Sequence, residues 1–191
     1  MEPHDDLRAR LAAERFRRRR DAAGEDLARL VGPRLAVTLL DDAARAAALQ
    51  AEFLASHRAA EGQEWACVAQ EWPAADVVAL TDTVHRLARN LRPRAVWLLL
   101  PGHEPQAAGI DSDIVLDNPL GFAALGDHDV RLLDRDVPAG LWLARHPQGD
   151  VDATDARAGH ADARADVHTW SLEVWGEPWL SATTRALRGV G

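Results

Sequence analysis

Apolar residues recur along the first half of the chain in a pattern that predicts alternating strands and helices. Short apolar runs at residues 35–40, 64–70 and 95–100 have the length and composition of buried strands. The segments between them, residues 41–60 and 73–91, are long enough to be helical crossover connections. The pattern therefore predicts a β-α-β-α-β unit whose strands run parallel in one sheet.

The two predicted helices differ in the face that they are expected to bury. The second helix begins at Pro73 and carries a regular apolar stripe at helical spacing. The members of this stripe are Val77, Leu80, Val84, Leu87 and Leu91. The first helix begins at Asp41 and Asp42 and is rich in alanine, which allows close packing on a sheet. We expect its buried face to be Ala44, Ala48, Ala51, Leu54 and Ala55, with Leu49 and Phe53 beside it.

The second half of the chain has the pattern of antiparallel strands. Residues 130–134 and 140–146 are apolar runs separated by a polar turn, which predicts a hairpin. Residues 168–176 alternate as a half-buried strand does, with Trp170, Leu172 and Val174 on one face. A last helix begins at Pro178. Residues 147–167 have few bulky apolar side chains, and we expect a mobile connection there.

Together these elements predict one α/β domain of mixed α+β character over residues 1–191. Its single mixed sheet is parallel in the β-α-β-α-β first half and antiparallel in the second half, with helices packed on it. A helical segment, residues 1–32, precedes the sheet. Asp5 or Asp6 can cap this helix, and Leu7 and Leu11 form a thin apolar stripe along it.

Composition narrows the classes of protein that fit this pattern. Hydrophobic residues make up 47% of the chain, as in a globular domain, and no run approaches the ~20 apolar residues of a membrane span. The N-terminus lacks the apolar stretch of a signal peptide. A single cysteine, Cys67, fits a reducing cytoplasm. All 22 basic residues are arginine, which together with abundant alanine indicates a GC-rich bacterial genome.

The charge of the chain is unevenly distributed. The net charge is −8, but residues 1–20 carry seven arginines against four acidic residues, a net of +3, and the remainder carries −11. We interpret Arg17, Arg18, Arg19 and Arg20 as the solvated end of a helix, with a weak nucleic-acid patch as the alternative. An acidic body is poorly suited to nucleic acid or an anionic membrane, whereas it suits a basic protein partner.

The stretch GIDSDIVLDNP, residues 109–119, places Asp111, Asp113 and Asp117 within seven positions. In an extended strand these carboxylates would share one face, about 6.6 Å apart at each two-residue step. Two interpretations stay open here. One is a carboxylate cluster that holds a divalent metal ion, and the other is a solvated acidic loop that runs into a short strand.

The wider segment, residues 102–117, resembles the minimal nucleotidyltransferase core, in which a strand leads to a Gly-Ser turn and then to Ser-Asp-x-Asp. Gly102 matches the glycine, and Ser112 and Asp113 match the Ser-Asp pair, whereas His103 replaces the serine of the turn and Val115 replaces the second aspartate. The resemblance implies a degenerate nucleotide enzyme with Mg²⁺ as cofactor. The ion would be held by Asp113 together with Asp111, Asp117 and His103.

Other motifs for metal binding and nucleophilic catalysis have less support in the sequence. His103, His128 and His146 follow or flank predicted strands, near Glu104, Asp127 and Asp129, but no pair has a metal-binding spacing such as HExxH. Cys67 lies inside a predicted strand, which predicts a buried and inert thiol. The sequence contains no GxSxG, GxGxxG or Walker-type motif.

The chain has seven tryptophans and no tyrosine. Trp97, Trp142 and Trp170 lie within predicted strands and are expected in the core. Trp175 and Trp179 flank a Gly-Glu-Pro turn between a strand and a helix, where an exposed aromatic pair would form a partner-binding anchor. The alternative is that both rings close the core beneath the last helix. We expect Trp179 to be buried and Trp175 to be the more exposed ring.

The sequence therefore favours a non-enzymatic, cytoplasmic protein-interaction domain of the adaptor or toxin-neutralising type, without a cofactor or metal. Its expected partner is a protein, contacted through Trp175 and Trp179, with a basic surface as the better match. No membrane partner is expected, and nucleic acid is expected only weakly through Arg17–Arg20. The alternative is a nucleotidyltransferase-like or other metal-dependent nucleotide enzyme that uses residues 102–117 and Mg²⁺. The oligomeric state is not determined by the sequence.

Overall fold

The computed structural model describes residues 3–32, 37–61, 63, 66–102, 105–126, 128–147 and 168–188. These residues form six α-helices and seven strands. The helices are α1 (Pro3–Val31), α2 (Ala43–Glu61), α3 (Val77–Asn90), α4 (Ser112–Asp117), α5 (Pro119–Leu125) and α6 (Trp179–Arg188). The strands are β1 (Thr38–Leu39), β2 (Cys67–Pro73), β3 (Ala95–Leu100), β4 (Gln106–Asp111), β5 (Asp129–Asp134), β6 (Gly140–Pro147) and β7 (His168–Trp175).

The described strands form one antiparallel sheet in the order β1-β4-β3-β5-β6-β7-β2. The predicted parallel first half is therefore wrong. β1 and β2 lie at opposite edges of the sheet, and β3 pairs with β4 and β5 in its interior. The prediction failed because β4 was missed. Its sequence contains Ala107, Ala108 and Gly109 instead of bulky apolar residues, and small residues have low strand propensity.

Helices cover both faces of this sheet, and the sheet separates the core into two layers. Helices α3, α5 and α6 pack on one face, where the buried side chains include Leu98, Leu132 and Trp179. Helix α2 packs on the opposite face over β3, β4 and β5, and we call this side the α2 face. The core of the α2 face includes Phe53 and Trp175. The continuous apolar run of β3 is covered on both sides, as the sequence predicts.

The prediction for α3 is confirmed, and the prediction for the buried face of α2 is wrong. In the α3 stripe, Leu80, Val84, Leu87 and Leu91 are buried. In α2 the buried residues are Ala46, Leu49, Phe53, His57 and Ala60, whereas the predicted Ala44, Ala48, Ala51 and Ala55 are exposed. Burial of apolar area is the driving term, so the helix turns its leucine and phenylalanine inward and leaves small alanines outside.

The remaining boundaries differ from the predicted ones by a few residues. β1 comprises only Thr38–Leu39 of the predicted strand 35–40, and β2 begins three residues later than predicted. Pro73 ends β2 and precedes a 3₁₀ turn, Ala74–Asp76, instead of starting a helix. The hairpin of β5 and β6 is confirmed, with Leu132 opposite Leu141. The predicted mobile connection, residues 147–167, lies almost wholly outside the described residues.

Helix α1 lies within the predicted helical segment, residues 1–32, and packs against both layers of the core. Phe16 joins the core of the α2 face, and Leu27 joins the core of the opposite face. The arginine run, residues 17–20, lies in the middle of this helix and not at its end. Within the described part of the chain, no helix has the length and apolar content needed to cross a bilayer.

Candidate functional site

The N-terminal part of α1 extends beyond the body of the protein. The helix has 29 residues and is therefore about 43 Å long. Residues 6–13 are all exposed, and Phe16 is its first residue described as buried. We call residues 6–13 the α1 overhang. No residue of the overhang belongs to either core cluster of the described residues, so its outer face can meet another molecule.

Two leucines form an apolar pair on the α1 overhang. Leu7 is 56% exposed and Leu11 is 48% exposed, and their i,i+4 spacing places them side by side on the helix surface. Among the described residues, Val78 is the only other large hydrophobic side chain that is exposed to this degree. Most exposed apolar side chains are scattered singly and need no explanation, but an adjacent pair on a protruding helix is typical of an interaction surface.

A groove adjoins the α1 overhang. Its volume is about 530 Å³, and it opens between α1 and the start of α2. Ala12, Ala13 and Phe16 form its α1 wall, and Ala43 and Pro105 form part of the other side. Arg17, Arg20 and Asp41 also line the groove. Successive residues of an α-helix are 100° apart, so Leu7 and Leu11 lie on the face of α1 opposite Phe16, and the groove is a separate surface from the leucine pair.

Acidic side chains near the α1 overhang are engaged by arginines of the same helix. Arg10 pairs with Asp6 at 2.8 Å, and Glu14 accepts from Arg17 at 2.6 Å and from Arg18 at 2.7 Å. The hydrogen bond from Arg18, with support from Arg17, holds the pKa of Glu14 below its ordinary value. These exposed i,i+3 and i,i+4 pairs support the helix weakly. Since residues 1–20 have more arginines than acids, the region keeps a net positive charge.

The two tryptophans predicted to contact a partner are both buried. Trp179 is 0% exposed and Trp175 is 1% exposed, so the expectation of a core role is confirmed for Trp179 and the expected exposure of Trp175 is wrong. Trp175 points to the α2 face, where α2 covers it and Ser56 Oγ accepts from its Nε1 at 3.2 Å. Neither ring lies on the surface that a partner would meet.

Trp179 belongs to a buried charged cluster that sequence analysis missed. Its Nε1 donates to Asp134 Oδ2 at 2.9 Å, and Arg94 pairs with the same carboxylate through Nε and Nη2. The backbone N–H of Asp136 adds a third donor at 3.0 Å. Burial alone would raise the pKa of Asp134, but the hydrogen bonds from Arg94 and Trp179 outweigh it and lower the pKa. The cluster fixes α6 to the sheet.

The three aspartates of residues 109–119 do not form the predicted strand face. Asp111 ends β4, and Asp113 and Asp117 lie on helix α4. Asp111 and Asp117 are exposed. Among the described residues, the one group of three metal-ligating side chains whose donor atoms lie within 4.8 Å of one another does not include any of these aspartates. His103, the fourth predicted ligand, lies outside the described residues.

The other candidate histidines are held by separate partners. His146 Nε2 lies 2.7 Å from Ser171 Oγ, and His128 lies near Arg145. Asp129 accepts from Trp142 Nε1 and from Arg131, each at 2.6 Å, and burial nevertheless raises the pKa of this carboxyl. Glu104 and Asp127 lie outside the described residues. The predicted histidine and aspartate site is therefore not assembled by the residues that the structure describes.

Cys67 is in a different environment from the one predicted. The side chain is partly exposed, and it lies beside His57 of α2 and Glu173 of β7. Burial, together with the carboxylates of Glu173 and Glu61, raises the pKa of the Cys67 thiol, which disfavours a nucleophilic thiolate. Sequence spacing gave no signal for this group, because its members come from three elements and His57 and Glu173 are 116 residues apart.

Comparison of the chain with protein-family models, with curated proteins and with solved structures finds no match.

Proposed function

We propose that this protein is a non-enzymatic protein-interaction domain, of the adaptor or toxin-neutralising type, that binds its partner through the exposed leucine face of the α1 overhang. The exposed pair of Leu7 and Leu11 on a protruding helix carries the proposal. This places the binding surface at a different location from the buried Trp175 and Trp179. An exposed apolar helix face that docks on a partner is a common mode of protein recognition.

The size of the apolar contribution supports a specific contact. Complete burial of a leucine side chain contributes about 1.5–3 kcal/mol. Leu7 and Leu11 are each close to half exposed, so full burial of both would contribute about 1.5–3 kcal/mol in total. Loss of either leucine should therefore weaken binding measurably, because a few side chains carry most of the affinity of an interface.

The partner that best fits this surface is a helical protein segment with acidic flanks. The whole chain has a net charge of −8, which favours a basic partner, but the first 20 residues have a net charge of +3. The local charge governs a contact here, since charges farther away than about 8 Å are screened at physiological salt. The excess of arginine over acidic residues in this segment gives the leucine pair positively charged surroundings.

A second copy of this chain fits the surface less well. Pairing two α1 overhangs around a twofold axis would bring two positive regions together. Contact between the overhang of one copy and the acidic body of another is heterologous, and such contacts form open chains unless they close into a ring. A different protein with an acidic helix meets neither difficulty.

The enzymatic alternative loses its structural premise. It needed residues 102–117 to continue into a strand that carries paired carboxylates, but Ser112–Asp117 is helical. The ion pairs of the arginine run also disfavour weak binding of nucleic acid. Arg17 and Arg18 are paired with Glu14, and Arg20 is paired with Asp21.

Site-specific photocrosslinking in cells tests the proposal. A photoreactive amino acid is placed at position 7, at position 11 and, as a matched control, at position 78, where Val78 is an exposed apolar residue of α3. We expect one acidic protein to be crosslinked from positions 7 and 11 and not from position 78. Leu11→Asp should lower its affinity at least ~10-fold without changing thermal stability, and Val78→Asp should leave the affinity unchanged.

Two results would contradict the proposal. One is the same set of crosslinked proteins from all three positions, which would indicate nonspecific adhesion. The other is crosslinking of positions 7 and 11 only to a second copy of this chain, which would make the α1 overhang a self-association surface.

A further inference from the structure

Three side chains with different donor atoms meet at the far end of the α2 face. His57 lies near the C-terminal end of α2 and is 4% exposed. Cys67 is the first residue of β2, and Glu173 lies on β7. Cys67 is opposite Trp175 and Ala69 is opposite Glu173, so Cys67 and Glu173 are diagonal neighbours on one face of the sheet. Donor atoms of His57, Cys67 and Glu173 lie within 4.8 Å of one another.

We infer that His57, Cys67 and Glu173 form a binding site for a divalent transition-metal ion, with Zn²⁺ as the best-fitting ion. Imidazole nitrogen, thiolate sulfur and carboxylate oxygen are the three donor types that zinc uses in proteins. A mixed set of this kind is unsuited to Mg²⁺ or Ca²⁺, which prefer oxygen ligands. The site is distinct from the α1 overhang and does not depend on the proposed function.

The distances are compatible with binding after a small rearrangement. In a tetrahedral zinc site, bonds of about 2.0–2.3 Å place neighbouring donor atoms about 3.3–3.6 Å apart. His57 Nε2 and Glu173 Oε2 are 2.5 Å apart and share a hydrogen bond. An ion between them would replace the proton of this hydrogen bond and increase the distance between the two atoms by about 1 Å. Rotation of the partly exposed Glu173 side chain supplies that movement.

The surroundings of His57 match those of a metal-bound histidine. Glu61 Oε2 lies 3.6 Å from His57 Nδ1, on the side of the ring away from Glu173. This distance is longer than a hydrogen bond, and an outer carboxylate that closes to hydrogen-bond distance orients a histidine ligand and sets its tautomer. The rings of Trp142 and Trp175 meet the imidazole edge-on at centroid distances of 5.2 and 5.0 Å. They hold the ring in place, and they give the site an apolar wall.

The site has access to solvent and an excess of negative charge. Cys67 is partly exposed, and β2 is an edge strand, so an ion can enter from outside the sheet. Glu61 and Glu173 place two carboxylates around the thiol. A bound dication would offset this charge and would take the thiol as thiolate with release of its proton. Three protein ligands would leave a fourth coordination position available to water or to an exogenous ligand.

Cobalt substitution of the full-length chain tests this inference. The protein is freed of metal with a chelator and titrated with Co²⁺, whose bond to a thiolate gives a charge-transfer band in the near ultraviolet. Cys67 is the only cysteine, so this band can arise from no other residue. We expect the band to saturate at one Co²⁺ per chain, to disappear on addition of Zn²⁺, and to be absent in Cys67→Ser.

Calorimetric titration with Zn²⁺ extends the test to the other ligands. Glu173→Gln should lower zinc affinity at least ~100-fold, because loss of an outer partner alone costs ~10–100-fold. Glu61→Gln should fall within that smaller range. The matched control is Glu71→Gln, which changes an exposed carboxylate on the same face of β2 and should leave the affinity unchanged. No charge-transfer band in the wild-type protein, or equal zinc affinity in Cys67→Ser, would overturn the inference.

Discussion

The buried indole rings of Trp175 and Trp179 allow a matched comparison of two hydrogen bonds. Both rings are almost completely buried, at 1% and 0% exposure. Trp179 Nε1 donates to the Asp134 carboxylate at 2.9 Å, whereas Trp175 Nε1 donates to the Ser56 hydroxyl at 3.2 Å. Replacement of each tryptophan by phenylalanine removes the same atoms from a closed core. The packing loss therefore nearly cancels when the two variants are compared.

The charge of the acceptor decides the expected difference. A hydrogen bond to a charged group contributes about 1.5–3 kcal/mol, and a neutral one contributes about 0.5–1.5 kcal/mol. In Trp179→Phe, the Asp134 carboxylate loses the hydrogen bond from the indole. It keeps its pair with Arg94 and the hydrogen bond from the Asp136 N–H. We expect Trp179→Phe to cost about 1 kcal/mol more than Trp175→Phe. For a chain of this size, that corresponds to an additional fall in Tm of about 2–4 °C.

Urea unfolding followed by circular dichroism measures this difference. The free energy of unfolding is determined for the wild-type protein and both variants at neutral pH and at low pH. Protonation of Asp134 removes the charge of the acceptor, so the difference between the variants should shrink in acid. Equal costs at neutral pH would refute the assignment of Trp179 to a charged cluster, and so would a free energy of unfolding unchanged by Trp179→Phe.

Three further predictions concern stability. Because the pKa of Asp134 is lowered in the folded protein, its contribution to stability is present above the ordinary aspartate pKa and is lost as pH falls through the folded value. Acid titration of the unfolding free energy should therefore be steeper in the wild type than in Asp134→Asn, and parallel curves would contradict the lowered pKa. Gly140→Ala should destabilise by about 1–3 kcal/mol, since the added Cβ would lie 2.4 Å from Leu132 O and 2.8 Å from the Trp175 ring. Gly24→Ala in α1 should instead stabilise by up to about 1 kcal/mol, because it meets only the tip of Leu39 at 3.0 Å; thermal melts of both variants would show whether the two signs differ as expected.

Local patterns predicted four of the six described helices and most strands, but they missed α4 and α5 and did not predict how strands pair. The stripe from Leu80 to Leu91 identified α3 because one helix records its buried face in its own periodicity. Pairing depends on residues far apart in the chain. β4 was not predicted because its small residues do not form the run of bulky apolar side chains that identifies a buried strand. Once β4 occupies the position beside β3, the parallel arrangement of the first half is no longer available.

The candidate sites illustrate the same limit. Exposure of Leu7 and Leu11 depends on where the body of the protein ends, and their spacing alone resembled a thin buried stripe. The Cys67 environment arises only when α2, β2 and β7 meet, which places His57 beside a residue 116 positions away. Burial of Trp175 required the cover that α2 gives to the end of β7. The sequence supplied the residue types, and tertiary contacts decided which of them are available to other molecules.

The most direct test of the proposed function is hydrogen exchange of the complete protein with and without the partner captured by crosslinking. The proposal predicts that binding slows amide exchange in α1, within residues 6–20. Exchange in α3 around Val78 should be unchanged. Protection confined to α3 or to the β2 edge, with α1 exchanging at the same rate in both states, would contradict the account.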